Sequence, residues 1–207
     1  MKKIFLIFSI FLILHISPPY LLSAMEDPIR ILFLGDSLTA GLGVEPEEAY
    51  PSVIHEMLSE KQINHITIIN AGISGSTSAS AVSRLKWFLR AKPDILVLAL
   101  GANDGLRGLS IEEMEKNLSA TIALAKENKI RVILAGMEIP PNYGPEYTKA
   151  FREVFSSLAK KNQLPFIPFL LKDVAGNPSL NQADGIHPNS NGHRVIASHV
   201  LPFILEK

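Results

Sequence analysis

The stretch IRILFLGDSLTAGLG, residues 29–43, decides the fold. It opens with an apolar run that does not alternate with polar residues, the mark of a strand covered on both faces. Gly35, Asp36 and Ser37 then break the run, and a segment punctuated by Gly41 and Gly43 leads onward, as at a turn into a helix. The same kind of run recurs as HITIINA (65–71), DILVLAL (94–100), IRVILAG (130–136) and the weaker LPFIPF (164–169).

Helix-period segments fill the intervals. Residues 47–61 carry a proline near their start, and residues 78–91 form an amphipathic stretch that stops before Pro93. Residues 110–128 open with Ser110 and Glu113 at capping-box spacing, and residues 144–162 have Pro145 in the first turn. A helix over about residues 191–205, bent at Pro202, closes the chain. Strand and helix alternating with buried strands predicts a parallel sheet with helices on both faces, a three-layer α/β/α sandwich. Such sheets bind ligands at the carboxyl ends of their strands, near the point where strand order reverses.

A chain of 207 residues suits one well-buried domain. Residues 1–24 differ in kind: Lys2 and Lys3 precede the apolar run 4–16, followed by SPPY and LLSA. This is the pattern of a secretory signal, although Leu22 and Ala24 supply only half of the small-x-small cleavage pattern. The expectation is export to the periplasm or medium with the signal cleaved, leaving residues 25–207 as the working domain. An uncleaved anchor and initiation at Met25 are the alternatives, and no stable membrane insertion of the mature form is expected. Loss of Lys2 and Lys3 shifts the balance of 20 basic and 20 acidic side chains to −2. No basic stripe points to nucleic acid. The absence of cysteine excludes disulfides, a thiol nucleophile and a lipid-anchored cysteine.

The glycines of 35–43 invite a phosphate reading, which their spacing rejects. A dinucleotide fingerprint needs G-x-G-x-x-G and a P-loop needs Gly-Lys-Ser/Thr, and neither is present. The elbow G-x-S-x-G also fails, with Thr39 in place of its second glycine. Ser37 nevertheless lies two residues past a strand, at the start of a helical turn where backbone N–H groups point outward. On this stretch alone, capping of a helix by Asp36 or Ser37 is the simpler role.

A nucleophile needs a base, and ADGIHPNSNG (183–192) offers one. Pro188 disfavours helix at His187, and Asp184, three residues earlier, is within reach of its Nδ1. The alternative is a turn whose histidine is merely polar surface. His193 and His199 are six residues apart, off one helical face, so no metal site is expected. Two further strand ends supply donors: Gly72 in NAGISGSTS, where the backbone can approach a ligand, and the Asn103 amide in LGANDGLRG. Separately these are ordinary turns. Together they set donors at the edge that carries Ser37, as an oxyanion hole requires.

In that order, GDSLTAG, NAGISGST, GANDGLRG and DGIHPN resemble the four blocks of the GDSL or SGNH hydrolase superfamily. The resemblance covers residues 30–205. Within the superfamily, AGMEIPPNYGPEYTKAF (135–151) is similar to the segment after the fourth strand in periplasmic arylesterases and thioesterase/lysophospholipases. It implies a flavodoxin-like sheet of about five parallel strands in order 2-1-3-4-5. It also implies a Ser37–His187–Asp184 triad, and an oxyanion hole from Ser37, Gly72 and Asn103. No cofactor is implied. The substrate is expected to be a small acyl ester, with thioesters and lysophospholipids as further candidates. Leu106, Leu109, Ile139, Pro140 and Tyr143 are the expected substrate-binding side chains. A carbohydrate deacetylase or a peptidase could use the same triad, and a non-catalytic binding protein could use the same scaffold.

Overall fold

A computed structural model describes residues 28–206. The signal-like stretch, residues 1–24, lies outside them. Five parallel strands form one sheet: β1 (Ile29–Gly35), β2 (Ile66–Gly72), β3 (Ile95–Ala99), β4 (Arg131–Ala135) and β5 (Phe166–Ile167), in the order β2-β1-β3-β4-β5. This is the expected order.

The longer helices are α2 (Tyr50–Glu60), α3 (Ala81–Phe88), α5 (Ile111–Glu127), α6 (Pro145–Asn162) and α7 (Ser190–Leu205). Two short ones, α1 (Ser37–Ala40) and α4 (Ala102–Leu106), directly follow β1 and β3. Helices α2 and α7 pack together as one layer, and α3, α5 and α6 as the other. The central strands between them are covered on both faces: Ile31, Leu32, Phe33 and Leu34 of β1 and Leu96, Val97 and Leu98 of β3 are fully buried. β2, at the edge of the sheet, is not covered as its apolar run predicts, and its Thr67 and Asn70 are exposed.

Three differences from the expected elements have physical causes. β5 is two residues rather than six, because Pro165 and Pro168 flank it and have no N–H for the ladder. The carbonyls on either side still pair with β4, Leu134 N–H donating to Pro165 O and Gly136 N–H to Ile167 O, and past Pro168 the N–H of Leu170 donates to Gly136 O. Residues 78–80 and 89–91 are tighter 3-10 turns at the two ends of α3, the second closed by Lys92 in the left-handed region before Pro93. The segment 102–106, expected as a turn, is helical. Ser110 caps α5 by accepting from Glu113 N–H, and Pro145 opens α6.

The register aligns the strand ends that matter. Gly35 pairs with Gly72 on one side and Ala99 on the other, so the loops after β1, β2 and β3 start at one level. The chain leaves β1 toward β2 and returns to β3 on the other flank. The crevice after β1 and β3 is therefore the switch point of this sheet.

Candidate active site

Ser37 is the first residue of α1, at the carboxyl end of β1. Asp36 caps that helix, its Oδ1 accepting from Leu38 N–H at 3.0 Å. The N–H of Ser37, in the first turn, has no acceptor within the helix and points toward the helix mouth. Both roles weighed for this stretch are thus filled, by adjacent residues: Asp36 is the cap and Ser37 faces the cleft.

The Ser37 hydroxyl is 2.9 Å from His187 Nε2, and His187 Nδ1 is 2.6 Å from Asp184 Oδ2. Asp184 Oδ1 accepts from Ile186 N–H at 2.9 Å and His187 N–H at 3.0 Å. Its bonds to the His187 ring, then to those two backbone donors, hold its carboxyl down at about 2. An ionised carboxylate only accepts, so Nδ1 carries the imidazole proton and Nε2 is left to accept from Ser37 Oγ–H.

Local chemistry builds that histidine loop. Asp-Gly at 184–185 makes the turn, Gln182 N–H donates to His187 O, and Asn181 bridges to Pro188. Asn189 then caps α7 by accepting from Gly192 N–H. Gln182 Nε2 donates to Leu42 O at 2.7 Å and to Pro188 O at 2.9 Å, fastening the histidine loop to the chain that leaves α1. Nothing in the sequence neighbourhood of Gln182 marks it, because its partners are backbone carbonyls, one of them 140 residues away.

Asn103 lies in α4, with Nδ2 donating to Ser76 O at 3.1 Å, so one amide proton is held by the loop after β2 and the other is free for a ligand. Beneath it the buried Asp104 accepts from Ser78 N–H (2.8 Å) and Ser78 Oγ–H (2.6 Å), and Asn117 Nδ2 donates to Ser78 Oγ. This network holds a five-residue helix that propensity alone would not form.

Gly72 does not occupy the position expected of it. Its N–H donates to Asn70 Oδ1 at 2.9 Å, and a Cβ there would lie 2.2 Å from Ala40 N. Gly72 is required for the close seating of α1 on β2, and its N–H is already engaged. Three residues on, Gly75 has φ +78°, and its carbonyl accepts from Arg107, whose guanidinium also reaches Asn103 Oδ1. Among the described residues, no acceptor stands opposite Gly75 N–H.

Two buried groups flank Ser37 and His187. Burial pushes the Asp36 carboxyl up to about 6, against the opposing pull of the Leu38 N–H, His187 and Arg84. Arg84 reaches under α1 to donate to Gly35 O at 2.9 Å and to Ala71 O. On the other flank Tyr50 OH and Thr39 Oγ1 are 3.0 Å apart, and Tyr50 N–H donates to His193 Nδ1 at 3.3 Å. Burial lowers His193 to about 4, so it is a neutral packing residue.

A cleft of about 770 Å³ opens beside Ser37 and His187, walled by Met137, Ile139, Pro140, Phe169, Leu171 and Ile186. Of the side chains expected to bind substrate, Leu106, Ile139 and Pro140 line it. Leu109 and Tyr143 do not; they are exposed outside it, where Tyr143 OH donates to Leu106 O. Phe169 and Leu171 were missed, because the segment after a proline-bounded strand carries no motif. A second cleft, of about 780 Å³ along the β2 edge, is lined by Pro46, His55 and Arg194 among others and contains none of these groups.

The family model described as GDSL-like Lipase/Acylhydrolase matches residues 33–195. Esterase TesA of Pseudomonas aeruginosa is 37% identical over 173 residues, 83% of this chain and 86% of that protein. Thioesterase 1/protease 1/lysophospholipase L1 of Escherichia coli (strain K12) is 35% identical over 168 residues, 81% of this chain and 79% of that one. The solved structure of esterase EstA from Pseudoalteromonas sp., inhibited by monoethylphosphonate, superposes with a TM-score of 0.80 at 35% identity, covering 84% of this chain and 96% of that one.

Proposed function

Since the chain belongs to the GDSL-like lipase/acylhydrolase family and is a serine ester hydrolase, we propose that Ser37 is its nucleophile, His187 its general base and acid, and Asp184 the group that orients the histidine. The observation that carries this reading is the unbroken path Ser37 Oγ, His187 Nε2, His187 Nδ1, Asp184 Oδ2, with links of 2.9 and 2.6 Å. Ser37 Oγ attacks the ester carbonyl as its proton passes to His187. The resulting imidazolium is stabilised by Asp184 and returns the proton to the departing alkoxide. Water, deprotonated by the same histidine, then attacks the acyl-serine, and the imidazolium returns that proton to Ser37 Oγ as the acid is released.

The oxyanion of each tetrahedral intermediate is held by Ser37 N–H and the free Asn103 amide proton. We assign the remaining backbone donor to Gly75 rather than Gly72, because Gly75 N–H is unengaged and its turn is tied to Asn103 through Ser76 and Arg107. The apolar cleft walls suit the acyl chain of a carboxylic ester, a thioester or a lysophospholipid. Export, through residues 1–24, is part of the same proposal, and N-terminal sequencing of the cell-made protein tests it.

Purified protein and its Ser37→Ala variant, assayed on p-nitrophenyl esters of increasing chain length, acyl thioesters, lysophosphatidylcholine, acetylated sugars and peptides, test the reading. Acyl ester turnover that rises with chain length and vanishes in the variant is expected. Turnover confined to peptides or acetylated sugars, or retained by the variant, overturns it.

A further inference from the structure

The described residues leave few large apolar side chains exposed, and apart from Trp87 on α3 and Leu205 at the end of α7 they share one edge of the sheet. Leu42 (46% exposed) follows α1, Ile73 (54%) follows β2, Leu109 (43%) follows α4, Tyr143 (37%) lies after β4, and Ile186 (49%) stands between Asp184 and His187. A single exposed leucine needs no explanation. Five on five separate loops, all at the strand ends that carry Ser37, form a rim that the packing of the core does not require.

We propose that this rim docks the enzyme on the surface of a neutral or zwitterionic lipid assembly, with the cleft mouth facing the lipid. The inference rests on the acyl ester reading above. Three observations select this occupant. The rim is continuous with the apolar cleft: Ile186 belongs to both, Tyr143 is bonded to the backbone of the lining residue Leu106, and the exposed Pro140 and Pro141 join the cleft wall to the segment bearing Tyr143. A substrate whose acyl chain fills such a cleft is itself sparingly soluble and presents its ester at an aggregate surface. The charged groups beside the loops are mixed in sign, Arg107, Lys149 and Arg152 with Glu138 and Asp184, so among the described residues no wholly basic patch selects anionic headgroups. Leu109 and Tyr143, which the sequence places with the substrate but the structure leaves outside the cleft, find their role here.

Attachment of this kind depends on apolar area and is insensitive to salt. Each of Leu42 and Ile73 buries enough surface on docking that its replacement by serine weakens partition by about tenfold.

Flotation of the full chain carrying Ser37→Ala, which prevents turnover, with phosphatidylcholine vesicles at low and high salt is the test. Binding that is unchanged by salt, falls by about two orders of magnitude in Leu42→Ser/Ile73→Ser, and is unaffected by Trp87→Ser is the expected result. The Leu42→Ser/Ile73→Ser protein with Ser37 intact should hydrolyse p-nitrophenyl acetate at the parent rate, which establishes that it is folded. No vesicle binding, equal binding by both proteins, salt-sensitive binding, or a homodimer dispersed by the two substitutions overturns the proposal. If p-nitrophenyl acetate hydrolysis survives Ser37→Ala, the active-site reading fails instead, whatever the vesicles show.

Discussion

Asp36 offers a thermodynamic test of how tightly the helix that begins at Ser37 is set into the core. Burial raises its carboxyl from an ordinary 3.8 to about 6. Between those values the native state retains a proton that the unfolded chain has released, so stability falls as pH rises through this window. At about 1.4 kcal/mol per pH unit, ionised Asp36 costs the native state about 3 kcal/mol at neutral pH. His193 works in the opposite sense. Its folded value, lowered from 6.5 to about 4, means that stability is lost as pH falls through the same range, again by about 3 kcal/mol. The two dependences nearly cancel, and the parent protein should be almost indifferent to pH there on their account. Asp36→Asn keeps an oxygen to cap Leu38 N–H but removes the charge. Relative to the parent, the variant should gain nothing near pH 4 and about 3 kcal/mol near pH 7, while its own stability drops on acidification along the uncovered His193 slope. Urea unfolding of both proteins across this range, with matched m-values, measures the difference. A difference that does not change with pH would show that Asp36 ionises as an exposed carboxylate does, and would refute the argument from burial.

Other expectations concern the site itself. Asp184→Asn should leave KM near the parent value and lower kcat by about 10⁴-fold, because the amide no longer selects the Nδ1–H tautomer; steady-state kinetics on a soluble ester check this. Asn103→Ala should cost about 10²- to 10³-fold in kcat with the fold intact by circular dichroism. Asp104→Ala leaves Ser78 N–H and Oγ–H without their acceptor, and should lower unfolding stability by about 1–3 kcal/mol as well as kcat. Gly72→Ala drives a methyl group into the Ala40 backbone and should destabilise the protein by about 1–3 kcal/mol in urea unfolding, whereas Gly75→Ala, which strains a turn at φ +78°, should lower stability by about 1–2 kcal/mol and lower kcat as well.

The sheet was legible because its central strands β1, β3 and β4 are buried on both faces: runs such as ILVLA (Ile95–Ala99), bounded by turns and of strand length, read as buried strands. β5 was overestimated since apolar composition in 164–169 does not register that its prolines cannot donate. The Asp184–His187 hydrogen bond was legible because an Asp three residues before a His, with Pro next, makes a local turn whose geometry hardly depends on the rest of the fold. The backbone donor proposed for the oxyanion was not. Gly72 and Gly75 look alike in the sequence, and what separates them is the Asn70 side chain on one N–H and the α1 backbone against one Cα. The helix at Asn103 was hidden for the same reason, since Asp104 is held by Ser78, 26 residues earlier, which is in turn held by Asn117, 39 residues beyond Ser78. Apolar residue type placed Leu109 and Tyr143 near the substrate without telling a cleft wall from its rim.

The central claim is that Ser37 carries the acyl group, and covalent trapping addresses it most directly. Incubation with an ethylphosphonate ester, followed by peptide mass mapping, should find one modified residue, Ser37, with labelling that tracks the loss of hydrolysis and disappears in His187→Ala. Modification of Ser74, Ser76 or Ser78 instead, or hydrolysis that persists after Ser37 is fully labelled, would contradict the account.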